Sequence, residues 1–116
     1  MYHDALGLWR GKMELSLVYV TCSSVDEAQT IAETVIVEKL AACSNVIPAM
    51  ISTYVWQGKL THSEEVLLLL KTKTALFEKL RTRIRTLHSY ETPAIVALPI
   101  AAVDDDYLKW LESGVE

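Results

Sequence analysis

VIPAMISTYVWQGKLTHSEEVLLLLKT, residues 46–72, decides the fold. Two apolar runs, 46–56 and 65–72, flank Gln57-Gly58-Lys59, a turn carrying a glycine. They predict a hairpin of two strands. Pro48 cannot donate a ladder hydrogen bond, so a bulge or a sheet edge is expected there. The unbroken leucines of EVLLLLKT imply a strand buried on both faces.

Matching units lie on either side. Upstream, LSLVYVTC (15–22) is rich in Val, Leu and Tyr and reads as a strand. Ser24 with Glu27 three residues on forms a capping box, and Asp26 adds acid to the first turn. Ala28, Ile31, Ala32 and Val35 follow the i, i+3, i+4, i+7 rule, so a helix is expected over 25–40. Downstream, Thr74 is positioned to cap a second helix whose apolar positions are Phe77, Leu80, Ile84 and Leu87. LHSYETP (87–93) closes that helix, because Pro93 disfavours helix at the preceding residue. AIVALP (94–99) is a fourth strand. Asp104, Asp105 and Asp106 read as a cap and acidic first turn for a short C-terminal helix through YLKWL, in preference to a metal cluster. The order β-α-β-β-α-β is the split, ferredoxin-like α+β arrangement. It places two helices on one face of a four-stranded antiparallel sheet, with a long hairpin and a short terminal helix added.

Composition restricts the function. The chain has 116 residues, enough for one domain with a real core, and 51% of them are hydrophobic. A net charge of −4 argues against a nucleic-acid binder, which needs a basic face. Lys79, Arg81, Arg83 and Arg85 alternate around the second helix and read as its solvated face. No apolar run approaches the ~20 residues that span a bilayer. Residues 1–12, MYHDALGLWRGK, lack the apolar core and cleavage site of a secretory signal and read as a flexible, dispensable arm ahead of a single domain over 13–116. Cys22 and Cys43 fit no zinc spacing and are too few for a disulfide framework, so reduced thiols and a cytoplasmic location are expected.

The hairpin exceeds a minimal domain of this type, with roughly ten residues per arm where strands average about 5–6. Tyr54 and Trp56 share parity near its tip. A long apolar ribbon with exposed aromatics calls for a partner surface, which predicts a homo-oligomer.

These residues carry a resemblance. KLAAC (39–43) followed by NVIP, STYVWQGK (52–59), EEVLLLLKT (64–72), HSYETPAI with a later LP, and YLKWL (107–111) together resemble the CutA family of divalent-cation tolerance proteins. The likeness runs in order over nearly all of 15–111. It implies a trimer of ferredoxin-like subunits joined through their hairpins, similar in architecture to the P-II signalling proteins, and a link to copper and other divalent cations. It implies no established reaction. His88 matches the histidine of the family motif H-P-Y-E-x-P and is the leading ligand for copper(II) or another divalent cation. Ser89 stands where the motif has proline, which loosens the corner. Some members place a cysteine late in the first strand and a second histidine before the motif histidine; here those positions hold Val20 and Leu87. Cys22 lies two residues beyond Val20 on the same side of a regular strand. With His88 and Glu91 it makes the expected metal set, since imidazole and oxygen suit copper(II) and thiolate suits copper(I). His88 reads equally well as a structural cap of the helix end.

A second reading places Tyr54, Trp56, Glu65, Lys71 and Tyr90, beside His88, along a cleft between subunits that takes a small organic or anionic ligand, as a P-II-like sensor does. A third is a trimeric scaffold for a partner protein. An enzyme is disfavoured: acylphosphatases share the topology, but TCSSVDEA (21–28) lacks the glycine and arginine of their phosphate cradle, and no P-loop, G-x-S-x-G or H-E-x-x-H motif occurs.

Overall fold

A computed structural model describes residues 14–116 together with the backbone of Tyr2–His3 and Leu8–Arg10. The elements are β1 (Tyr2–His3), β2 (Leu8–Arg10), β3 (Leu15–Cys22), α1 (Val25–Val37), β4 (Cys43–Trp56), β5 (Lys59–Lys73), α2 (Phe77–Leu87), β6 (Ile95–Pro99), β7 (Val103–Asp104) and α3 (Asp105–Ser113). The main sheet has the order β4-β5-β3-β6 and is antiparallel throughout. This is the ferredoxin-like α+β fold that the element order predicts. A small second sheet pairs β1 with β2 and β2 with β7. The other residues of the expected arm, and its boundary at residue 13, lie outside the described residues.

Strand parity divides the sheet into two faces. Val18, Val20, Cys22, Val66, Leu68 and Leu70 are buried in one core with Ala28, Ile31, Ala32 and Val35 of α1 and Leu80 and Ile84 of α2. Burying such side chains contributes roughly 1.5–3 kcal/mol each, so this layer dominates the stability. Leu15 belongs to the opposite face. It packs with Leu76, Val103, Leu108, Leu111 and Val115 in a second core that seats α3 at one end of the sheet.

The caps follow local chemistry, with two departures. Ser24 Oγ accepts from Glu27 N–H at 3.0 Å, as a capping box requires, but the Glu27 carboxylate reaches Ser23 and not Ser24. Asp104 caps α3 by accepting from Tyr107 N–H at 3.2 Å. Thr74 does not cap α2. It starts a 3-10 turn, Thr74–Leu76, and its hydroxyl bonds Ser16 Oγ on β3 at 2.6 Å. α1 ends at Val37, not near Leu40, since Lys39 turns left-handed at φ 61°.

The hairpin is longer than its apolar runs. β4 begins at Cys43, and β5 reaches back to Lys59 through the polar stretch 61–65. Backbone pairing alone carries it there, so periodicity does not reveal it. The register shifts between Ile47 and Met50, where Ala49 has φ 65°: Pro48 sits in a bulge on an edge strand. Gln57 and Gly58, at φ 50° and 78°, make the tight turn. The expected two-faced burial of β5 is half met. Leu68 and Leu70 are buried, whereas Leu67 and Leu69, on the face without α1 and α2, are only partly covered.

Candidate functional site

The corner after α2 faces the end of β3. α2 closes with His88 N–H donating to Ile84 O at 2.9 Å, and His88 leaves the helix in extended backbone (φ −81°, ψ 140°). Its imidazole turns back across the sheet. Nε2 contacts Thr21 O at 2.7 Å and Nδ1 accepts from Tyr90 N–H at 3.0 Å. A carbonyl at one nitrogen and an N–H at the other select the neutral ring with its hydrogen on Nε2. Tyr90 packs on the imidazole with ring centroids 4.7 Å apart, and its hydroxyl donates to Glu65 Oε2 at 2.8 Å. Partial burial and that bond to Glu65 raise the Tyr90 phenol above its ordinary range, so it stays a donor.

Cys22, Glu27 and His88 meet here, with one ligand atom from each lying within 4.8 Å of the others. Cys22 is buried. Burial first, then the Glu27 and Glu65 carboxylates, push its thiol up to about 12. Glu27 is held the other way. Partial burial opposes its charge, but Ser23 N–H (2.9 Å) and Oγ (3.0 Å) on Oε1 and Ser89 N–H (2.8 Å) on Oε2 outweigh it and bring the carboxyl down to about 2.

Of the expected metal residues, Cys22 and His88 lie in this group and Glu91 does not; Glu27 is the third member. Glu91 is exposed, and its backbone carbonyl accepts from Arg85. The capping-box spacing had put Glu27 at the start of α1. That the same carboxylate closes on Ser89, 62 residues away, has no local signal. Val20 is buried in the first core and Leu87 packs against it, so neither position offers a metal ligand here. A thiol, a carboxylate and an imidazole suit copper or zinc, and a bound cation stabilises the thiolate that burial alone disfavours.

Of the expected cleft residues, Tyr54, Trp56, Glu65 and Lys71 share one sheet face but not one place, and Tyr90 reaches Glu65 from the corner after α2. Tyr54 and Trp56 stand exposed near the hairpin tip, and Tyr54 Oη bonds Ser63 Oγ at 3.2 Å. Glu65 lies next inward, tied to Tyr90. Lys71 is six residues further, roughly 20 Å along the strand. There its ammonium donates to Tyr107 Oη at 3.0 Å and lies 5.1 Å from that ring's centroid, beside Cys43. A groove lined by Leu40, Glu78, Lys79, Thr82, Arg83 and Thr86 contains none of these residues; it carries the Arg83–Glu38 ion pair at 2.9 Å.

The family model described as CutA1 divalent ion tolerance protein matches residues 16–114. The chain belongs to the CutA1 divalent ion tolerance family. It is 47% identical to the divalent-cation tolerance protein CutA of Thermus thermophilus over 84% of this chain and 95% of that one. It is 39% identical to the chloroplastic CutA of Arabidopsis thaliana over the same share of this chain, and spans 54% of that longer protein. The solved structure of the periplasmic divalent cation tolerance protein CutA from Archaeoglobus fulgidus superposes with a TM-score of 0.85 at 35% identity, over 88% of this chain and 99% of that one. Among the described residues no helix is long and apolar enough to cross a membrane.

Proposed function

We propose that this CutA1-family chain is a small binding protein for copper(II) or another divalent cation, acting as a sensor or buffer and not as an enzyme. The observation that carries the reading is the convergence of Cys22, Glu27 and His88 at one corner. His88 and Glu27 would hold the cation at the surface side, and the Cys22 thiolate from the buried side. The cation's charge would supply what a sensor needs, a change of local electrostatics and geometry on binding.

The reading includes a homotrimer. Val96, Leu98 and Ile47 are 48, 44 and 47% exposed on the sheet face opposite α1 and α2, continuous with the half-covered Leu67 and Leu69. Ile51, Val55 and Leu60, at 72, 68 and 70%, are exposed on the projecting hairpin. Apolar surface this broad, on the open sheet face and on both sides of the hairpin, favours burial against other copies of the chain. Family members carry chloroplastic and periplasmic descriptions, so the compartment belongs to the individual chain. The two unpaired cysteines suit the cytoplasm.

The test is calorimetric titration of copper(II) into the intact oligomer, wild type beside His88→Ala, with mass checked by light scattering. Saturable binding that falls by about tenfold or more in the variant is expected, the loss of one good ligand. Equal binding in both would move the site away from the corner. A second reading rests on the Tyr90–Glu65 bond beside exposed Tyr54 and Trp56: an organic anion bound between subunits. In that case Trp56→Phe abolishes a fluorescence response to a metabolite panel, while copper has no effect.

A further inference from the structure

The donors of the proposed cation site are the same atoms that hold the corner shut. Glu27 Oε2 is taken by Ser89 N–H at 2.8 Å, and His88 Nδ1 by Tyr90 N–H at 3.0 Å. His88 Nε2 is engaged by Thr21 O at 2.7 Å. His88 has no lone pair to give a cation while both of its bonds stand, and Glu27 already carries three bonds on its two oxygens, so an ion entering at Oε2 crowds the Ser89 amide. Two consecutive backbone amides of the corner, Ser89 and Tyr90, therefore compete directly with any bound ion.

We propose that residues 88–90 form a cation-responsive latch: Glu27 and His88 release the Ser89 and Tyr90 amides when they take up a divalent cation, and the corner opens. The latch rests on the cation reading above and adds its regulation. The Ser89 N–H is half of the latch, and a proline at this position would have no N–H to offer Glu27. The backbone of His88, at φ −81° and ψ 140°, lies in the extended region that tolerates a following proline. Ser89→Pro thus takes the competing donor away from Glu27 while leaving His88 in an allowed conformation. A charge-assisted hydrogen bond to a carboxylate is lost from the free protein only, so the variant is expected to bind copper(II) about tenfold more tightly.

The experiment uses the full chain and copper(II) as the probe. Hydrogen exchange of the 86–92 segment is followed by mass spectrometry with and without the ion, beside calorimetry of wild type, Ser89→Pro and His88→Ala. The expected result is faster exchange of the Ser89 and Tyr90 amides on copper binding, and tighter binding by Ser89→Pro. Copper binding that depends on His88 but leaves those amides protected overturns the latch and keeps the cation site. So does a folded Ser89→Pro chain that binds no more tightly. Binding that is absent, or indifferent to His88→Ala, overturns both. If Ser89→Pro does not fold, exchange in the wild type decides alone.

Discussion

Glu27 and Thr72 concentrate much of what single side chains do in this molecule. The Glu27 carboxyl is shifted from an ordinary 4.5 to about 2 by Ser23 and Ser89. A depressed folded value means that its stabilisation is fully present above about pH 4.5 and is lost as the pH falls toward 2. Urea midpoints measured from pH 7 to pH 2 should therefore fall steeply below pH 5 in the wild type. In Glu27→Gln the midpoint should be lower at pH 7 and flatter across that window. Thr72 is fully buried between the sheet and the exit of α1, with Oγ1 donating to Leu40 O at 2.7 Å. Thr72→Val keeps the shape but strips that carbonyl of a donor in a dry site. A loss of about 1–2 kcal/mol is expected by equilibrium denaturation.

At the scale of elements, the hairpin is the part whose geometry depends on backbone chemistry and not on packing. A Cβ at Gly58 would meet nothing within 4 Å, so space does not require glycine. Its φ of 78° does, because a side chain there costs about 1 kcal/mol in the left-handed region. Gly58→Ala should lower stability by about that amount while the core is untouched, seen as a shifted denaturation midpoint with unchanged slope. The bulge at Pro48 is the other backbone device. It shifts the register between Ile47 and Met50 on an edge strand, where a missing donor does least harm. Strand ends were legible only where apolar residues continued to them. The polar stretch 61–65 is strand because β4 pairs with it, and nothing in its composition announces that.

At the scale of the whole molecule, the single chain leaves one sheet face and the outer hairpin partly bare. Its principal extents of 50 × 27 × 22 Å reflect a β5 of 15 residues, about 50 Å when extended. If the proposed trimer buries the ribbon, Val55→Lys with Leu60→Lys should reduce the mass seen by light scattering. The far-ultraviolet circular dichroism should persist, since neither residue belongs to either core. A wild type that is monomeric at micromolar concentration would contradict the assembly.

The sequence by itself determined the order of the main elements, the helix faces at Ala28, Ile31, Ala32, Val35, Leu80 and Ile84, a bulge or sheet edge at Pro48, the cap at Asp104 and the family. These features are carried by neighbours a few residues apart, whose periodicity and turn chemistry act locally. The family resemblance also pointed to His88 and Cys22, whose ligand atoms lie in one group. Only the tertiary structure decided that Glu27 and not Glu91 joins them, that Thr74 answers Ser16 and not its helix, and that Lys71 stands apart from the aromatic end of the hairpin. Each of those depends on which distant atom fills a vacant hydrogen bond once the chain has closed on itself, and a partner 62 residues away leaves no periodic trace.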